Sequence, residues 1–172
     1  MRNIIIILSV IYLSACAAAG VTYTSDPYKK ISNAYQMVQM NRYIPAERFA
    51  KEALKEFIKT NDKFGQGEAY TALGGLYKQM FKNQTKAIKN FKNAIKAYQE
   101  ANNYTMVGKA KFGLANAYHA GNQLDKHCDM YNQSIADYKK GKKLNPKSDF
   151  RINPRFTSFE EMVNAFKNKY CS

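Results

Sequence analysis

Between Pro27 and Lys143 apolar residues recur three and four apart in six successive stretches, separated by short polar breaks. Ile31, Ala34, Tyr35 and Val38 share one face of residues 28–40, so the spacing predicts an amphipathic helix there. Asn41-Arg42-Tyr43 turns the chain. Residues 44–60 carry Ala46, Ala50, Ala53, Leu54 and Phe57 on a second packing face, with Pro45 confined to the first turn. The same reasoning predicts helices over 66–81, 85–100, 105–120 and 124–143, the fourth with Ala87, Phe91, Ala94, Ile95 and Tyr98 on one stripe. Asn145-Pro146 closes the series.

The stretches repeat one another. Leu73 recurs as Leu114, Gly74 as Ala115 and Tyr77 as Tyr118, all at one identical spacing. Phe91 recurs as Tyr131 and Ala94 as Ser134, at a spacing shorter by a single position. Upstream, Ala34 precedes Gly74 by the shorter step and Ala46 precedes Ala87 by the longer one. A self-match with a period of about 40 residues is the signature of a helical repeat array, hence an all-α fold.

Leu73-Gly74 followed by Tyr77, and Ala87 followed by Phe91 and Ala94, resemble the two helix motifs of the tetratricopeptide repeat (TPR). The first copy matches through Ala34, Tyr43, Ala46 and Ala53, and the third through Leu114, Ala115, Tyr118 and Tyr131, departing at His127 and Ser134. The period is longer than the family's usual 34. The resemblance covers residues 26–146 and implies a TPR-like solenoid of three helical hairpins, over 27–60, 66–100 and 105–143. It also implies that the first helix of each hairpin lines a concave surface. The candidate groove-binding residues are then Tyr28, Tyr35, Lys78, Lys109, Phe112, Asn116 and His119, suited to an extended or helical peptide of acidic character. Of the positions at which some TPR proteins clamp a peptide carboxylate, only Lys109 matches, which argues against that specificity.

Residues 147–172 form a linker and a final helix. Ser158 and Glu161 make a capping box, and Phe159, Met162, Val163, Phe166 and Tyr170 make an apolar stripe. Such a helix caps the array, or docks on a partner.

At the amino end, about ten apolar residues follow Met1-Arg2-Asn3 and finish in Leu13-Ser14-Ala15-Cys16. The stretch is too short to span a bilayer, which takes about 20 residues. The four residues resemble the bacterial lipobox. The resemblance implies a signal peptide over 1–15, lipid on the Cys16 thiol, and a lipidated tether over 16–26. The alternative is an ordinary secretory signal with a chance cysteine. Ala17 is no inner-membrane retention signal, so the expected place is the cell envelope, at the outer membrane facing the periplasm in a Gram-negative cell.

The formal net charge of +14 suggests an acidic partner, whether protein, anionic lipid or glycan, although the lysines are scattered over solvated faces and nucleic acid is disfavoured. With Cys16 acylated, Cys128 and Cys171 remain, either bridged or separately reduced. His119 and His127 stand on either side of a turn with no ligand-like spacing, and His127-Cys128 are helical neighbours expected to point about 100° apart. No phosphate loop, nucleophile elbow or metal motif appears in the sequence, so no catalytic residue, metal site or cofactor is expected. The function expected is a membrane-anchored scaffold for an envelope protein. The alternative is an envelope protein that binds anionic lipid or glycan through its basic outer face.

Overall fold

The structure, a computed structural model, describes residues 23–80, 82–150 and 152–171. Within them seven helices follow in order: α1 (Pro27–Gln39), α2 (Tyr43–Lys59), α3 (Lys63–Gln79), α4 (Gln84–Glu100), α5 (Tyr104–Ala120), α6 (Leu124–Leu144) and α7 (Phe159–Tyr170). The expected signal peptide, Cys16, most of the tether, and Phe81 lie outside the described residues. No helix among the described residues is long and apolar enough to cross a membrane.

The regularity is set by the turns. Asn41, Asn61, Lys82, Asn102 and Asn122 all have positive φ and fall at nearly even intervals along the chain. Asparagine tolerates this left-handed geometry better than most side chains. At four of these turns the chain closes in the same way. The left-handed residue donates to a carbonyl three residues back, as in Asn61 to Ile58 at 3.1 Å. The next residue donates five back, as in Asp62 to Phe57 at 2.9 Å. This satisfies the orphan carbonyls of the helix end, and the next helix starts at once. The turn after α3 is the exception, since Asn83 reaches six residues back to Tyr77. That one extra residue explains the mixed period. Pairs that span it, such as Leu73 and Leu114, stand one position further apart than pairs that do not, such as Phe91 and Tyr131.

Consecutive helices pack as antiparallel neighbours, giving an all-α solenoid of three hairpins, α1–α2, α3–α4 and α5–α6, with α7 as the capping helix. Small residues bring the axes together. Ala46, Ala50 and Ala53 are fully buried on α2, and Ala87 and Ala94 on α4. Phe91 lies against Gly74 of α3 and Gly113 of α5, and a Cβ at Gly113 would stand 2.4 Å from its ring. Besides the hairpin contacts, α1 touches α3 and α3 touches α5, whereas among the described residues no comparable contact joins α2 to α4 or α4 to α6. The odd helices are therefore the closer layer, and the solenoid curves with them on its inner side.

α3 begins three residues earlier than the expected 66, because the Asp62 carboxylate caps it by accepting from Gly65 N–H at 2.8 Å. Gly65, which reads as loop in the sequence, is helical and lies under the Phe57 ring.

Candidate functional site

The inner layer presents its side chains in register, each row taking equivalent positions from α1, α3 and α5. Successive rows are Tyr28, Glu68 and Lys109; Ile31, Thr71 and Phe112; Tyr35, Gly75 and Asn116; and Val38, Lys78 and His119. The carboxy-terminal segment divides these rows into a closed end and an open end.

The closed end is on α5. Phe112 meets Phe166 and Phe159 edge to face, at centroid separations of 5.2 and 5.9 Å. Asn116 accepts from the Tyr131 hydroxyl at 2.8 Å and donates to the Phe112 carbonyl at 3.0 Å. His119 stacks on Tyr170 at 4.0 Å, and burial, with His127 and Lys169 nearby, lowers its pKa. The Lys109 ammonium lies 5.2 Å from the centre of the Phe150 ring. These four residues, expected in an open groove, are instead engaged by the tail and by α6. The reason is physical: the stripe on α7 needs an apolar partner, and Phe112 faces the place where a further repeat would pack. Phe159 and Val163 are accordingly buried to 1% and 0% exposure. The lysine of α5 that holds a carboxylate is Lys111, 2.6 Å from Asp137.

The open end spans α1 and α3. Tyr28 donates to the Asp62 carboxylate at 2.6 Å and rests edge-on against Phe57, leaving 45% of its surface in solvent. Tyr98 donates to Glu68, and its hydroxyl is 3.3 Å from that of Thr71. Tyr35 is 41% exposed, yet the flanking helices strip enough water from its phenol to raise the pKa, and the Glu68 charge adds to this. Lys78 is half-buried, with its pKa lowered by desolvation and no ion pair or hydrogen bond among the described residues.

Gly75 belongs to this end. At every other helical glycine described, an added Cβ would meet a ring or backbone at 3.0 Å or less; at Gly75 it would meet nothing within 4 Å. A glycine inside a helix costs about 1 kcal/mol relative to alanine. No neighbour among the described residues requires this one. Its signal in the sequence is weak, because it follows Gly74, whose contact with Phe91 is structural. Glu68 escapes a reading of the sequence because a carboxylate on an amphipathic helix looks like solvated surface.

A second cluster lies where α6 meets the end of α7. Cys128 and Cys171 are bonded, with Cα atoms 5.7 Å apart. The expectation that His127 and Cys128 diverge fails, since Nε2 and Sγ are 3.3 Å apart, the ring leaning along the helix towards the sulfur. The same nitrogen meets the Tyr170 carbonyl at 2.9 Å, and the His119 and His127 rings are 5.2 Å apart. The capping helix thus gathers residues whose spacing in the sequence carries no recognisable pattern.

No protein-family model, curated protein or solved structure matches the chain.

Proposed function

We propose that the chain is a binding module held at a bacterial membrane by lipid on Cys16, with a TPR-like array that docks a peptide segment of another envelope protein. The surface assigned to docking is the open inner strip of Tyr28, Tyr35, Gly75 and Lys78. Gly75 carries this reading. A helical glycine facing open space has no internal use, whereas a partner's backbone passing over it would need the missing Cβ. Lys78 supplies an uncommitted, desolvated cation one turn along the same face, which favours a carboxylate on the partner. Tyr35 supplies apolar area and a polar tip.

The Lys-rich outer face is the rival surface. Part of it is already used within the chain, with Lys86 over the Tyr77 ring and Lys92 over Tyr118. The test compares two variants in affinity capture of envelope proteins from intact cells. Gly75→Phe places a ring in the strip, at a position where an added Cβ meets nothing within 4 Å, so circular dichroism and melting should stay near those of the parent while the captured protein is lost. Charge reversal at Lys86, Lys89 and Lys92 should leave capture intact. The opposite pattern would sink the groove and favour the outer face. For the anchor, Cys16→Ala should remove the protein from the detergent phase or leave it unprocessed. A processed, still membrane-bound variant would contradict lipidation.

A further inference from the structure

We propose that reduction of the Cys128–Cys171 disulfide uncovers a site for a soft divalent cation such as Zn2+, held by the two thiolates and the imidazole of His127. This inference is independent of the docking strip.

The donors are already gathered. One ligand atom from each of His127, Cys128 and Cys171 lies within 4.8 Å of the other two, and Cys128 Sγ is 3.3 Å from His127 Nε2. With Zn–S near about 2.3 Å and Zn–N near about 2.0 Å, a tetrahedral site has donor-to-donor edges of about 3.5 Å. The Cα separation of 5.7 Å lets the sulfurs part by side-chain rotation, without backbone travel. The Tyr170 carbonyl, 2.9 Å from Nε2, borders the fourth position.

The histidines supply the second observation. His127 is 1% exposed and its Nδ1 has no hydrogen-bond partner among the described residues; His119 Nδ1 is also buried and unpartnered there. Nε2–H of His127 now donates to the Tyr170 carbonyl, so ligation through Nε2 requires its proton to move to Nδ1. That nitrogen is the one left uncommitted. Both cysteines are only partly buried, so a reductant can reach them.

The chemistry balances with a dithiol reductant. Its two thiols become a disulfide and deliver two electrons and two protons to the Cys128–Cys171 bond, giving two thiols. The cation then displaces both thiol protons to solvent.

The test adds Co2+ to the full chain before and after reduction, then displaces it with Zn2+. The reduced protein should take up one Co2+ with thiolate-to-cobalt absorption and the visible bands of tetrahedral cobalt. The oxidised protein should show neither. Cys171→Ser and His127→Gln should each weaken binding at least about tenfold. If reduction frees α7, the metal should restore the lost helicity by circular dichroism. A reduced chain that gains neither the absorption nor the helicity on adding metal would overturn the proposal, as would an unchanged spectrum in Cys171→Ser.

Discussion

Two glycines carry opposite requirements, and the same substitution separates them. A Cβ at Gly108 would stand 2.7 Å from the Ser134 carbonyl oxygen and 2.8 Å from the Tyr138 nitrogen, so Gly108→Ala must push α5 off α6. A cost of about 1–3 kcal/mol is expected. At Gly75 the space is open, and Gly75→Ala should raise stability by about 0.5–1 kcal/mol through helix propensity alone. Urea midpoints of the two variants check both signs; destabilisation at Gly75 would mean that the fold itself needs the glycine. A further residue stands in an unfavourable conformation for its type. Lys82 has φ of 46° where the other four turns use asparagine. Lys82→Gly should raise stability by about 0.5–1 kcal/mol, seen as a higher midpoint at unchanged m-value. Lys78 is legible in the sequence as a candidate contact because its side chain has no obvious place in a core, and Tyr35 because it adds a polar tip to apolar area. Asn116 looks equally free there, but its bond with Tyr131 depends on which α6 residue comes opposite, and period alone does not state that.

Most of the helices are legible almost to the residue. α2, α4, α5 and α6 begin within one residue of their expected starts. α3 departs from expectation because Gly65 resembles a loop residue, and only the ring of Phe57 against it shows why glycine is required within a helix. α7 is legible as a cap from its stripe, but its route across Phe112 and His119 is not, since no local pattern gives the path of a linker. Its hold on the array has two parts, the Phe159 cluster and the disulfide, whose cysteines have a sequence separation of 43. Closing a loop of that length contributes about 3–4 kcal/mol in the chain-entropy model. Cys171→Ser should lose that amount, with hydrogen exchange rising first in α7. Phe159→Ala, at a site only 1% exposed, should lose about 3–5 kcal/mol. Full protection of α7 in both variants would contradict its role as the lock.

Over the whole molecule, titration follows from where the tyrosines and carboxylates are placed. Burial pushes the Tyr131 phenol up to about 12, and burial followed by the Asp149 charge raises Tyr138. These groups contribute stability that is fully present below the unfolded tyrosine value of about 10 and lost as pH rises through the folded values. On the acid side, Glu47 and Asp149 are both partly desolvated, which opposes ionisation. Lys51 and Tyr77 nevertheless hold Glu47 low, and the Phe150 N–H and Lys142 hold Asp149 low. Their contribution is present above the ordinary carboxylate range of about 4 and lost as pH falls through the folded values. Phenolate absorbance should therefore show a fraction of the tyrosines titrating at about 12 in the folded chain and all of them at about 10 in urea; identical curves would contradict the burial of Tyr131.

The arrangement that leaves the inner face of α1 and α3 open while α7 closes α5 gives the described residues an accessible inner strip, and the functional reading rests on that strip. The most direct measurement places a photo-crosslinking side chain at position 75 in living cells, with position 89 on the outer face of α4 as its counterpart. A single protein adduct is predicted from position 75, weakened by Lys78→Glu and absent from position 89. Adducts from position 89 with none from position 75 would contradict the account.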